Sequence, residues 1–171
     1  EHFLSDIHGE YEAFQHVLKN ASGDVKRKVN EIFGNTLREC DKKELCTLIY
    51  YPKQKLELIK STETDLEDWY MITLNHLIKV CRSVSSKYTR SKVRKALPEE
   101  FSYIIQELLH ESSVEPNKHD YVNVIIKTII STHRADQFIG AMCNLIQRLV
   151  IDSLHIIGDV FDRGPGAPLI M

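Results

Sequence analysis

Only two short segments of this chain have the pattern of β-strands, and they lie near its opposite ends. The first is His2–Leu4, and the second is Ser153–Ile157, an apolar run that leads into Gly158. Runs rich in β-branched and aromatic residues that end at turn residues are typical of strands. The order of strand, helix, long helical segment and strand predicts an α/β unit whose two halves are separated by an insertion.

The segment between the two strands carries apolar residues at the three-to-four-residue spacing of amphipathic helices. An acidic first turn after Thr64 is favoured by the helix dipole, and Pro98 is suited to the first turn of another helix. Gly34 is predicted to end the helix at 24–33, and Pro52 is predicted to end the helix at 41–49. The predicted helices cover about 10–21, 24–33, 41–49, 64–84, 98–109, 117–131 and 134–149.

The composition excludes several classes of protein. The chain of 171 residues is 43% hydrophobic and 27% charged, as ordinary globular proteins are. A net charge of −2 provides no general attraction to nucleic acid. The apolar run Leu145–Ile151 contains Gln147 and Arg148, so no membrane span is predicted. Four widely spaced cysteines without a C-x-x-C pair indicate reduced thiols and a cytoplasmic location.

A basic run lies between Arg82 and Lys95, with six cationic residues and no acid among them. This pattern is compatible with an anion-binding site on a helix. It favours a solvated helical face whose charge is balanced by the acidic residues at 63–68.

The first strand ends in a string with the chemistry of a metal site, Asp6–Gly9. Residues i and i+2 of a strand or its exit turn point the same way, so Asp6 and His8 are predicted to reach one ion. A carboxylate and an imidazole suit manganese, iron or zinc. Gly9 allows a sharp turn into a helix, whose N-terminus favours an anion. Alone, the string is more often that of a polar turn than of a metal site.

The second strand ends in a comparable string, Gly158–Gly164. The carboxyl end of a strand is where ligands bind in α/β sheets. Asp159 has two oxygens that can bridge two metals, which lie about 3.5–4 Å apart in dinuclear hydrolases. Arg163, a planar cation beside Asp162, suits bidentate contact with phosphate. Alone, this string is also that of an Asp–Arg pair in a surface turn.

Together the two strings carry a family resemblance. Ser5–Gly9 resembles the D-x-H-G block of calcineurin-like metallophosphoesterases, and Gly158–Gly164 resembles their G-D-x-x-D-R-G block, in the same order. The segments Ile32–Leu37 and Leu45–Pro52, with the long separation of the blocks, resemble the class 3 fructose-1,6-bisphosphatases of bacteria. The resemblance implies an α/β metallophosphatase-like fold, an incomplete α+β sandwich of the calcineurin-like type, with a large all-helical insertion.

The resemblance also implies a role for each residue of the two strings. Asp6 and His8 bind the first metal, and Asp159 bridges both ions of a dinuclear centre, for which Mn²⁺ is the expected metal. Asp162 and Arg163 are the catalytic candidates: Asp162 orients a histidine general acid from a later block, and Arg163 holds the substrate phosphate. The implied reaction converts fructose 1,6-bisphosphate to fructose 6-phosphate and phosphate in gluconeogenesis, by direct attack of a metal-bound hydroxide.

The chain departs from the family pattern, because the G-N-H-[ED] block and two further histidine ligands are not in it. We therefore expect it to be a piece of an enzyme and inactive by itself. Three segments are predicted. Residues 1–22 form the first part of the metallophosphatase core, residues 23–133 form a helical insertion or cap, and residues 134–171 form a second part of the core that stops before the remaining ligand blocks.

Two alternatives remain open from the sequence. One is a protein serine/threonine or nucleotide phosphatase that uses the same ligand blocks. The other is a non-enzymatic helical binding module in which both strings are surface turns. The expected partners are a sugar phosphate substrate and a second copy of the chain, bound through the helical insertion. Nucleic acid and membrane are not expected partners.

Overall fold

A computed structural model describes residues 1–110 and 116–170. The strands are β1 (His2–Ser5) and β2 (Leu154–Ile157), and a 3₁₀ turn at Ala21–Gly23 joins the first two helices. The helices are α1 (Tyr11–Asn20), α2 (Asp24–Phe33), α3 (Glu39–Tyr50), α4 (Pro52–Thr62), α5 (Leu66–Ser85), α6 (Arg90–Ala96), α7 (Ser102–His110), α8 (Pro116–Ser131), α9 (Ala135–Val150) and α10 (Ala167–Ile170).

The two strands pair with each other in parallel. His2 lies opposite Leu154 and Ser5 lies opposite Ile157, and the amide of Asp6 donates to the carbonyl of Ile157 at 3.1 Å. Parallel strands need a long crossover connection, which here consists of helices α1 to α9. The carboxyl ends of both strands therefore meet at one edge, with both acidic strings beyond it.

The sequence prediction missed α4 and α6. Pro52 was interpreted as a stop, but it occupies the first turn of α4, where proline is tolerated because that amide has no helical partner. Leu56 and Ile59 are buried and form the inner face of this helix. In α6 the hydroxyl of Thr89 caps the amide of Lys92, and basic residues surround a single buried valine, so its apolar periodicity is weak.

The core of the molecule lies between α5 and α9. Leu74, Leu77 and Ile78 of α5 are buried with Phe138 and Met142 of α9, and one hydrophobic cluster extends from Ala21 to Val150. The division into three segments stays a prediction. In the structure α9, which was assigned to the second part of the core, packs on α3, α4 and α5 of the expected insertion. Within the described ranges, no helix combines the length and apolar character needed to cross a membrane.

A polar cluster ties α5 and α6 to the connection between α9 and β2. Lys87 and Lys92 pair with Asp152 at 3.1 and 3.2 Å, and both ammonium groups lie over the ring of Tyr88. The Tyr88 hydroxyl donates to the carbonyl of Leu149 at 2.6 Å. The basic run is therefore balanced in part by Asp152, which lies far from the acids at 63–68 in the sequence. The cluster fixes the chain two residues before β2.

We expect Asp152→Asn to lower the free energy of unfolding by about 0.5–1 kcal/mol at pH 7, the range for exposed ion pairs. The Tyr88 hydroxyl and the two lysines hold the pKa of Asp152 below its usual value. A lowered carboxyl pKa stabilises the fold above about pH 4 and ceases to do so as the carboxylate is protonated. Urea unfolding from pH 7 to pH 2 should show a constant difference from the parent protein down to about pH 4 and a smaller difference at each lower pH. Glu57→Gln, on the exposed face of α4, is the control; a difference that stays constant below pH 4 would contradict the assignment.

Candidate metal and phosphate site

The turn after β1 is left-handed at three of its four residues. Asp6, His8 and Gly9 have φ values of 53°, 51° and 72°, a region that non-glycine residues adopt at a cost. Ile7 is buried between the first two, and its carbonyl accepts from the amide of Glu10 at 3.0 Å. The strand alternation that the sequence argument used therefore does not apply here, because the backbone is no longer extended. The left-handed turn sets the directions of both side chains.

The turn after β1 is bonded directly to the loop after β2. The amide of His8 donates to the carbonyl of Asp159 at 3.0 Å, and the amide of Gly9 donates to the carbonyl of Val160 at 2.8 Å. Further along, the amide of Gly164 donates back to the carbonyl of His8. These bonds continue the strand pairing past both strand ends and hold the two strings side by side.

This close approach depends on glycine, because an added Cβ would lie under 3.0 Å from a neighbouring atom at Gly9, Gly158, Gly164 and Gly166. A Cβ at Gly164 would lie 2.6 Å from the carbonyl oxygen of His8 and closer still to the backbone of Gly9, whereas real Cβ contacts essentially never fall under 3.0 Å. Gly158 has a φ of 84°, and a Cβ there would collide with the carboxylate of Asp6. The sequence argument recognised the glycines as turn residues but not that two backbones touch at Gly164.

Three of the candidate side chains form a group that can hold a metal ion. Ligand atoms of His8, Asp159 and Asp162 lie within 4.8 Å of one another. Asp6 is placed differently, since its Oδ1 accepts from the backbone amide of Asp159 at 3.4 Å. The structure therefore brings all four residues into one region, with Asp162 beside His8 and Asp6 supporting the backbone at Asp159.

The contact between His8 and Asp162 decides which ring nitrogen is available to a metal. His8 Nδ1 lies 2.7 Å from Asp162 Oδ1, and this hydrogen bond is the main reason that the pKa of the Asp162 carboxyl is lowered. An ionised carboxylate can only accept, so Nδ1 carries the proton. In the neutral ring the Nε2 lone pair is then left for a cation, which is the usual arrangement of a metal-binding histidine supported by a carboxylate.

Arg163 lies at the rim of this group. Its Nε is 3.3 Å from Asp162 Oδ2, and its side chain is 74% exposed. The Asp162 carboxylate thus contacts His8 through one oxygen and Arg163 through the other. An exposed guanidinium next to a metal-binding group can still rotate to meet an incoming phosphate with two parallel hydrogen bonds.

The donor set fits a divalent cation. Asp6, Asp159 and Asp162 place three carboxyl groups around one imidazole and one guanidinium, so the cluster carries excess negative charge. Oxygen and imidazole ligands are those that Mn²⁺, iron and zinc accept. The cluster offers fewer ligand atoms than the six of an octahedral metal, so coordination positions remain for substrate, water or further protein ligands.

The whole chain, residues 1–171, matches the family model described as firmicute fructose-1,6-bisphosphatase. The chain belongs to this family. The resemblance that the two ligand strings indicated is therefore confirmed at the level of the family.

Curated relatives give the same assignment. A protein of Bacteroides fragilis named fructose-1,6-bisphosphatase class 3 is 81% identical over all 171 residues of this chain, which cover 26% of that relative. Relatives with the same name from Bacteroides thetaiotaomicron and Clostridium novyi are 81% and 67% identical, with the same coverage. The chain thus spans about a quarter of the length of these relatives. No solved structure matches it.

Proposed function

We propose that this chain is part of a metal-dependent fructose-1,6-bisphosphatase that releases phosphate from fructose 1,6-bisphosphate and acts in gluconeogenesis. The observation that carries the proposal is the group of His8, Asp159 and Asp162 beside Arg163, in a chain 81% identical to proteins of that name. We expect the 171 residues alone to be inactive, since three ligand atoms hold an ion only in part.

Each residue of the site has a defined task in this proposal. His8 through its Nε2 and Asp159 bind the divalent metal, for which Mn²⁺ is the expected ion. Asp6, whose Oδ1 accepts from the backbone amide of Asp159, offers its second carboxylate oxygen as a further ligand. Asp162 holds the Nδ1 proton of His8 and keeps its ring oriented. Arg163 binds and orients the phosphate. When bound, the metal supplies Lewis acidity that lowers the cost of negative charge on the phosphoryl oxygens.

The proposal is tested by comparing the full-length protein with the 171-residue chain. With Mn²⁺, the full-length protein should hydrolyse fructose 1,6-bisphosphate with a higher kcat/KM than phosphopeptides or nucleoside monophosphates, and the isolated chain should release no phosphate above background. A preference for phosphopeptides or nucleotides would favour the alternative phosphatases. Absence of Mn²⁺ affinity dependent on His8 and Asp159 would favour a non-enzymatic binding module.

We propose that further strands complete the sheet into an α+β sandwich of the calcineurin-like type. Support comes from three apolar side chains that remain exposed on the strands: Phe3 is 60% exposed, Ile156 41% and Ile157 58%. A two-stranded sheet is marginally stable by itself, and the relatives are about four times longer than this chain. These features favour additional strands from the rest of the polypeptide.

The completed sheet predicts a pattern of hydrogen exchange in the full-length protein. The amides of His2 and Asp6 donate to β2, so those of Phe3 and Ser5 point away from it, because successive amides alternate in a strand. If a further strand pairs with β1, the amides of Phe3 and Ser5 should exchange as slowly as those of His2 and Asp6. Fast exchange at Phe3 and Ser5 alone would leave β1 as an edge and contradict this arrangement.

We also propose a cytoplasmic location and self-association through the helical insertion. Cys40, Cys46, Cys81 and Cys143 are all free thiols, which suits a reducing compartment. An apolar groove between α7 and α8, with Tyr103 78% exposed, supports contact with a second copy of the chain. Sedimentation of the full-length protein would measure its oligomeric state.

A further inference from the structure

A cavity whose lining has the chemistry of an anion-binding site lies between α1 and α9, apart from the candidate metal site. Its volume is about 380 Å³, which is sufficient for a small metabolite. One stripe of α1 and one stripe of α9 face each other across it. The lining residues are Gln15, Leu18, Lys19, Asn144, Gln147, Arg148 and Ile151.

The charged groups of this lining are both cations. Arg148 uses one nitrogen to donate to the carbonyl of Ala96 at 3.3 Å, and a guanidinium has further donors to offer. The Lys19 ammonium lies 4.8 Å from the centre of the Tyr51 ring. No carboxylate is among the lining residues that the structure describes. The carboxylate of Asp152, which follows the lining residue Ile151, is already paired with Lys87 and Lys92.

The remaining polar groups of the lining are carboxamides. Gln147 is held by its donation to the carbonyl of Ile49, so its own carbonyl oxygen is a fixed acceptor. Asn144 is exposed on α9 and offers both a donor and an acceptor. Carboxamides recognise hydroxyl groups, whereas Leu18 and Ile151 provide an apolar surface for a carbon skeleton. The combination suits a molecule with one phosphate and several hydroxyls.

This cavity is separate from the candidate metal site. Lys19 lies ten residues after Gly9, and at 1.5 Å of rise per residue α1 places it about 15 Å from the turn that carries His8. A sugar monophosphate cannot bridge that distance. The two sites are joined by one rigid helix, since α1 begins at the metal site and forms one wall of the cavity.

We propose that the cavity between α1 and α9 is a binding site for a phosphorylated polyol, distinct from the site of hydrolysis. Lys19 and Arg148 bind the phosphate, and Asn144 and Gln147 bind hydroxyl groups. A ligand here contacts both the helix that begins at the metal site and the helix that leads into β2. This binding site is additional to the hydrolytic site proposed above, and its existence does not depend on that proposal.

The experiment measures binding of glucose 6-phosphate to the full-length protein by titration calorimetry, in EDTA so that no metal occupies the catalytic site. Lys19→Gln combined with Arg148→Gln should weaken binding about tenfold or more, because two charge-assisted contacts are lost. The charge-conserving pair Lys19→Arg and Arg148→Lys should retain most of the affinity. Lys53→Gln, an exposed cation on α4, is the matched control and should bind as the parent does.

Arg163→Gln separates the two sites, because Arg163 is the phosphate-binding group of the catalytic site when no metal is present. Binding that survives Arg163→Gln but not the double glutamine variant supports the second site. Binding that is lost with Arg163→Gln and unchanged in the double variant assigns the ligand to the catalytic site and overturns the proposal, as does absence of binding to the parent protein. Far-ultraviolet circular dichroism and thermal unfolding of each variant show whether the fold is retained.

Discussion

Gly164→Ala is expected to lower the Mn²⁺ affinity of the full-length protein by about 10- to 100-fold, the range for changes to groups that support metal ligands. The new methyl group would lie 2.6 Å from the carbonyl oxygen of His8. The obstacle is backbone, which cannot move aside as the end of a flexible side chain can. The loop must therefore separate from the turn, and Asp162 must leave the Nδ1 of His8. Calorimetric titration with Mn²⁺ measures the loss.

The matched control is Gly140→Ala in α9. A Cβ at Gly140 would meet nothing within 4 Å, and alanine is favoured over glycine inside a helix by about 0.5–1 kcal/mol. This variant should bind Mn²⁺ normally and unfold at an equal or higher temperature. Equal metal affinity in Gly164→Ala and Gly140→Ala would show that contact between the two backbones is not required for the site.

On the function proposed above, His8→Ala in the full-length protein is expected to reduce kcat/KM for fructose 1,6-bisphosphate by at least about 100-fold and to lower the Mn²⁺ affinity with it. The side chain provides the imidazole ligand of the group, and its loss leaves only carboxylates around the ion. Phosphate release and metal titration should fall together. His133→Asn, a change far from the site in the sequence at a residue with a φ of 57°, should leave both unchanged.

A second variant separates ligation by His8 from its orientation by Asp162. Asp162→Asn keeps the size of the side chain, but its amide can donate to Nδ1 and stabilise the tautomer whose Nε2 carries the proton. That tautomer cannot bind a metal through Nε2. Metal affinity should therefore fall in Asp162→Asn. The occupancy of the site should recover in part at higher Mn²⁺ concentration. Unchanged affinity would show that the contact between His8 and Asp162 is only a surface pair.

The sequence predicted the arrangement of the fold better than its details. Apolar periodicity is long and regular in α5 and α9, and both helices lie close to their predicted bounds. Their packing against each other in one core was not predicted, because the two helices were assigned to different segments. Pro52 was misinterpreted because proline both ends one helix and begins the next, and periodicity alone does not distinguish the two. The prediction that the acids at 63–68 balance Lys87 and Lys92 was also wrong. Their partner is Asp152, which is distant in the sequence and is brought near them only by the folding of the chain.

The site itself was predictable in composition but not in geometry. The two strings contained the three residues of the candidate metal group, His8, Asp159 and Asp162. The contact between Asp162 and His8 was not predictable, because it depends on left-handed backbone at Asp6 and His8 and on the approach of Gly164 to Gly9. These are properties of two loops in contact, and no local pattern in either loop encodes them.

The pairing of β1 with β2 links the metal site to the helical core thermodynamically. His8 and Asp159 come together only when residues 7–158 are folded, so an ion that both residues hold has no comparable site in the unfolded chain. A ligand that binds only the native state stabilises it by about 2.7 kcal/mol at one hundred times its Kd. Saturation with metal should thus protect α5 and α9 against urea, although neither helix carries a ligand. Conversely, a substitution that creates a cavity between α5 and α9 should lower the apparent affinity for the ion.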